Sequence, residues 1–262
     1  MNELAIAFHD FYAFLLVFAR ISGMIVVSPL FGNRVLPLQV RAGMALFLSI
    51  MTTPLVVVKT GPIPDHLLVL VGQILGETMF GLALGYMTRV LFSAVEMAGY
   101  FVDTQMGFGF LTLINPFAEQ QSSAMGTFQY QLAMTLYLLS NGHLLLLGAL
   151  AESFQTLLPG GVTPGGAFGM TALPMLQQMM GLGFRLALPA AGVLFVVDVA
   201  FGLVARMVPQ VNVFIVGIPA KIVLGLMTMA LVLPAIALIV GDIVTGTMHS
   251  VDTLIRSVRV GH

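Results

Sequence analysis

Six stretches of this chain, at about 11–31, 42–58, 67–88, 128–149, 180–205 and 222–242, are apolar over lengths that can cross a bilayer. Backbone N–H and C=O groups in hydrocarbon find no water, so a continuous run of this kind must satisfy them internally as a helix. The surface makes the same demand. Only 8% of the residues are charged and 58% are hydrophobic, where a soluble domain carries about 25% charged residues. A surface so poor in charge must face lipid or other apolar protein. The expected fold is an all-α membrane protein with about six long apolar helices.

Several function classes drop out. The formal net charge is −1 and no basic patch occurs, so a nucleic-acid partner is not expected. Cysteine is absent, which excludes disulfides, thiolate nucleophiles and Cys-ligated metals. His9, His66, His143, His249 and His262 lack metal-ligand spacing on a helix, and no H-E-x-x-H, P-loop or G-x-S-x-G pattern occurs. No metal or cofactor is therefore expected, and no ATP bound through a P-loop. Glu3 and Asp10 precede the first apolar stretch without any Lys or Arg, so that stretch reads as a retained helix rather than a cleaved signal.

Residues 206–221, R-M-V-P-Q-V-N-V-F-I-V-G-I-P-A-K, break the apolar pattern. Pro209 and Pro219 each lack an N–H and crowd the preceding turn, which argues against one straight helix. Yet Val213, Phe214, Ile215 and Ile218 are too apolar for a solvated loop. A greasy turn between two apolar segments needs another surface to cover it. Residues 159–174, P-G-G-V-T-P-G-G-A-F-G-M-T-A-L-P, give the strongest linker signal, read as a flexible tether between a front portion, residues 1–170, and a back portion, residues 171–262. With the N-terminus outside, Arg34, Arg41, Arg89, Arg206 and Lys221 fall on the inner side, against Lys59, Arg256 and Arg259 outside.

Within the third stretch Glu77, Gly81, Gly85 and Arg89 recur every four residues, a spacing that lets helices approach closely. Packing within the chain and a seam between subunits are equally compatible with it. Arg20, Glu77, Arg185 and Asp198 lie in apolar stretches, where an unpaired charge is expensive. Two ion pairs that register helices are the favoured reading over an ion path, since acids and bases balance. The sequence leaves open which acid meets which base. Met175, Met179 and Met180, and Met207, Met227 and Met229, read as adaptable packing.

Residues 93–117 form a further apolar run interrupted by Gly99, Gly107, Gly109 and Pro116, read as a broken or re-entrant segment. In it Gly107 and Gly109 alternate with Phe108 and Phe110, and Asn115-Pro116 signals a turn. From pattern alone, a loop buried permanently in the fold is the simpler reading. A displaceable plug is the sharper one.

These residues also carry a resemblance. Val208, Pro209, Gln210, Asn212, Phe214, Gly217, Pro219 and Lys221, spaced V-P-Q-x-N-x-F-x-x-G-x-P-x-K, resemble the signature of the FliR/SpaR family of type III secretion export-gate proteins. Gly76-Glu77 with Gly81 and Gly85, the Gln105-Met106-Gly107 to Pro116 loop, and Asn141-Gly142-His143 agree with it, the last in the manner of the flagellar branch. The resemblance implies a non-enzymatic subunit of the bacterial inner membrane and flagellar basal body. It implies assembly with FliP, FliQ and an FlhB-like partner into kinked hairpins that project partly towards the periplasm and pass unfolded flagellar substrates. Residues 1–170 would be FliP-like, and residues 171–262 a FliQ-like hairpin turning at 206–221. Met106, Gly107, Phe108, Gly109, Phe110 and Leu111 would form the plug, which reverses the preference for a permanently buried loop. A stand-alone secondary transporter is the alternative of a different class, although the halves differ in length and show no inverted repeat.

Overall fold

The computed structural model describes residues 2–32, 36–108, 123–162, 166–210 and 212–260, and all regular structure among them is helical. In chain order the helices are α1 (Asn2–Val27), α2 (Leu38–Val56), α3 (Leu67–Met106), α4 (Ala124–Leu139), α5 (Gly142–Thr156), α6 (Gly166–Met207) and α7 (Val213–Val260), with a 3-10 turn at Val57–Lys59. Among the described residues, five helices are long and apolar enough to cross a membrane, or six with α4 and α5 taken as one bent span. The all-α expectation holds.

Four boundaries differ from the sequence reading. First, α3 runs unbroken for 40 residues, so 67–88 and 93–106 are one helix and the re-entrant reading fails up to Met106. Gly99 costs a helix only about 1 kcal/mol, and here it packs against the backbone of Gly126 on α4. Arg89 accordingly stands inside a helix and leaves the count of inner-loop charges. Second, the expected span at 128–149 bends by 66° between α4 and α5. Asn141 takes a φ of 57° there, a left-handed backbone that Asn tolerates better than most residues.

Third, α6 begins at Gly166, so the expected 159–174 tether is helical over its second half. Pro174 is the ninth residue of this 42-residue helix and forfeits one backbone bond there. Fourth, the turn between α6 and α7 is short. Val208, Pro209, Gln210 and Asn212 lie between the helices, while Gly217, Pro219 and Lys221 already belong to α7. Pro219 forfeits one backbone bond near the start of a 48-residue helix, and its neighbours retain theirs.

The chain forms two compact units. One contains residues 1–90, 140–176 and 243–262. Its core is made by Val17, Ile21, Met24 and Ile25 of α1, by Phe80, Leu84 and Met87 of α3, and by Leu146, Leu150 and Phe154 of α5. The recurrence at three and four residues gives each helix one apolar stripe to bury. Residues 91–139 and 177–242 form the other unit. Val102 and Met106 of α3, Ala190 and Leu194 of α6 and Met229 of α7 make its core, with Phe108 and Met125 packed on it.

Candidate functional site: a buried charge clasp and an anchored loop

Arg20 is the largest fully buried side chain among the described residues. It sits on α1 where the apolar stripe faces α3, and its Nε donates to Glu77 Oε2 at 2.6 Å, with neither side chain exposed. The two remaining guanidinium nitrogens are engaged as well. Nη1 donates to Ser153 Oγ at 3.1 Å and Nη2 to the Leu157 carbonyl at 3.1 Å. The guanidinium plane lies over Phe154 at 4.4 Å and Phe80 at 4.9 Å. A buried ion pair is stable only when its other hydrogen-bonding sites are filled. Here they are filled by α5 and the turn that follows it.

The other carboxylate oxygen, Glu77 Oε1, accepts from the Gly160 N–H at 2.8 Å. Gly160 has a φ of +86°, a backbone that side chains disfavour. A Cβ there would also stand 3.2 Å from both Gln73 Nε2 and the Tyr12 hydroxyl. Tyr12 in turn donates to Gln73 Oε1 at 2.8 Å. Tyr12, Gln73, Glu77 and Arg20 therefore form a polar ladder between α1 and α3 onto which the 157–161 turn docks.

Gly81 and Gly85 are what allow the ladder to close. A Cβ on Gly81 would collide with the Arg20 carbonyl oxygen, and one on Gly85 would stand 2.6 Å from the Met24 carbonyl oxygen. These glycines pack within the chain, against α1. Glycine on α1 answers them, since a Cβ on Gly23 would meet the Thr78 carbonyl at 2.6 Å.

Of the other charges singled out, Asp198 on α6 pairs with Lys221 on α7, and Arg185 is exposed. Lys221, read in the sequence as part of the turn, is thus the base that meets Asp198. Met207, Met180 and Met227 are exposed, whereas Met229 is buried and its Sδ accepts from Gln129 Nε2. Among the described residues, no group of three or more His, Cys, Asp or Glu gathers as a metal site.

The second feature lies in the other unit. Helix α3 ends with Gly107 at a φ of +92°. The Gly107 N–H donates to the Thr104 carbonyl at 3.3 Å and the Phe108 N–H to the Asp103 carbonyl at 3.1 Å. This is the Schellman arrangement, in which a left-handed glycine lets two N–H groups satisfy the last carbonyls. Met106 is buried and Phe108 packs on the core of its unit. Gly109, Phe110 and Leu111, the rest of the expected plug, lie outside the described residues. Pro209, Gln210 and Asn212 form the exposed turn after α6, Gly217 is buried on α7, and the Phe214 side chain is outside the described set.

Sequence reasoning named Arg20, Glu77, Gly81 and Gly85 but missed Ser153, Gly160, Tyr12 and Gln73. Gln73 and Glu77, one helical turn apart, are the one local hint.

Residues 11–247 match the family described as "Bacterial export proteins, family 1". The chain is 35% identical over 254 residues to "Flagellar biosynthetic protein FliR" of Bacillus subtilis, covering 95% of this chain and 97% of that one. It is 32% identical over 221 residues to the protein of the same name from Escherichia coli, covering 83% of each. A shorter match, 32% over 167 residues, is to "Secretion system apparatus protein SsaT" of Salmonella typhimurium, covering 62% of this chain and 63% of that protein.

Proposed function

Because this chain belongs to the bacterial export proteins, family 1, we propose that it is a non-enzymatic subunit of the flagellar type III export gate in the inner membrane. The observation that carries this is end-to-end similarity to a flagellar biosynthetic protein, over 95% of the chain. The match to a secretion-system apparatus protein covers only 62% of it, which favours the flagellar system over a virulence system. In this reading the chain joins FliP, FliQ and an FlhB-like subunit around the channel entrance at the flagellar basal body.

The long helices support an assembly that extends beyond the bilayer. At about 1.5 Å per residue, the 48 residues of α7 span about 72 Å, against ~30 Å of hydrocarbon. The spans on α6 and α7 are only 17% and 22% buried by their own chain. Such faces suit a hairpin that takes its cover from FliQ-like neighbours through Pro209, Gln210, Asn212, Phe214, Gly217, Pro219 and Lys221. The loop that starts at Met106, Gly107 and Phe108 would plug the channel, a role favoured by its glycine-capped departure from α3.

Affinity purification from the native membrane tests the reading. FliP-like, FliQ-like and FlhB-like chains are expected to come with the protein, and a lone monomer that moves solute would overturn it in favour of a transporter. Deleting residues 107–110 is expected to leave the complex assembled but leaky to ions. Unchanged membrane conductance would refute the plug.

A further inference from the structure

The last three turns of α3 carry two unlike faces. Val95, Ala98, Val102 and Met106 are closed off inside their unit, none more than 1% exposed. On the opposite side stand Ser93, Glu96, Tyr100 and Thr104, of which Ser93 is half-buried and the other three are exposed. At about 3.6 residues per turn, these four fall within about 80° of one another and span about 16 Å of helix. All four are polar. The Thr104 hydroxyl donates to the Tyr100 carbonyl at 2.9 Å and can still accept. Glu96 enters no ion pair among the described residues.

Elsewhere on this unit the outer surface is apolar. The exposed residues of α6 include Val196, Val199 and Leu203, and those of α7 include Ile215, Val223 and Leu231. Such faces suit lipid or an apolar neighbour. The α3 face does not. A carboxylate set against hydrocarbon or an apolar helix loses its water with no cation in return, so it turns towards water or a partner charge. Tyr100 likewise needs water or a partner at its hydroxyl, while its ring can cover apolar surface.

We propose that Ser93, Glu96, Tyr100 and Thr104 line the water-filled path of the export apparatus and touch the unfolded chain that passes along it. The proposal rests on the export reading of this protein and deepens it by naming the face that meets substrate. An unfolded chain offers backbone N–H and C=O groups whatever its sequence. Hydroxyls both donate and accept, so Ser93, Tyr100 and Thr104 can exchange hydrogen bonds with any such chain without selecting one. The lone carboxylate keeps the wall hydrated. A neighbouring subunit's helix would instead have to bring a cation for Glu96 and three hydrogen-bonding groups at matching spacing.

Because the chain has no cysteine, a single cysteine reports on a single position. The test uses the assembled export complex in native membranes, jammed by an export substrate that is fused to a domain resistant to unfolding and carries single cysteines along its unfolded stretch. Under mild oxidation, Glu96→Cys and Tyr100→Cys are expected to form disulfides with the substrate at several positions of its sequence. Val196→Cys, on an apolar face of α6, is expected to form none. Disulfides to a partner subunit in place of the substrate overturn the lining role and make this face an assembly contact. Equal capture at Val196→Cys, or none at either α3 position while the substrate stays jammed, overturns it too. In these cases the export reading stands, because the substrate is still held. A complex that holds no substrate at all overturns both. Where Glu96→Cys and Tyr100→Cys fail to assemble, Thr104→Cys, a smaller change, decides by the same outcomes.

Discussion

Arg20 and Glu77 meet with neither side chain exposed, whereas Lys221 and Asp198 meet with 20% and 40% of theirs open. Both pairs join one long helix to another. The difference is in what surrounds them. Around Arg20 each guanidinium nitrogen has a hydrogen-bond partner, Nη1 in Ser153 Oγ and Nη2 in the Leu157 carbonyl, and two aromatic faces cover its plane. Lys221 can extend its head towards a hydrated surface while its stem covers apolar neighbours. The same chemistry is a registering clasp where three helices enclose it and a light tie where they do not.

The largest effect is expected from removing half of the enclosed pair. Glu77→Ala leaves the Arg20 charge buried without its acid and frees the Gly160 N–H, and loss of one partner of such a pair costs about 3–5 kcal/mol. Thermal unfolding of the purified protein in detergent should show it; a transition within a degree or two of the parent would mean the clasp contributes little. Next comes the glycine seam that lets the pair close. Gly81→Val sets its Cβ against the Arg20 carbonyl, and backbone cannot yield as a side-chain tip can. Overpacking of this kind costs roughly 1–3 kcal/mol, and a stability equal to the parent would place the seam elsewhere.

The smallest effect is expected at the open pair. Asp198→Asn should change stability by less than about 1 kcal/mol, since Lys221 can reach water. A loss as large as that for Glu77→Ala would show that the outer pair is enclosed in the working protein, and so would erase the contrast. Salt offers a milder version of the same comparison. Raising ionic strength should weaken the exposed tie and leave the buried one unchanged, because screening acts on charges that ions can approach.

Much of the architecture was legible in the residues. Apolar runs and scarce charge determine a helical membrane protein, because only helices satisfy their own backbone over such lengths. The expense of a lone charge in apolar surroundings picked out Arg20, Glu77 and Asp198 without a structure. Boundaries were less legible. Gly99 and Arg89 looked like interruptions in α3, but Gly99 is a contact point with α4 and Arg89 is simply an exposed residue within a helix.

What the tertiary structure alone decided is which groups meet. Charge balance cannot choose between Arg185 and Lys221 as the partner of Asp198, because the choice depends on how far apart two helices place them after a turn. Nor can it show that the Gly160 N–H completes Glu77 from 83 residues away, or that Asp103 at one helix end serves the next helix. Local pattern carries the burial of each helix, since periodicity is a property of neighbouring residues. Pairing is a property of distance in space, and the sequence alone does not contain it in readable form.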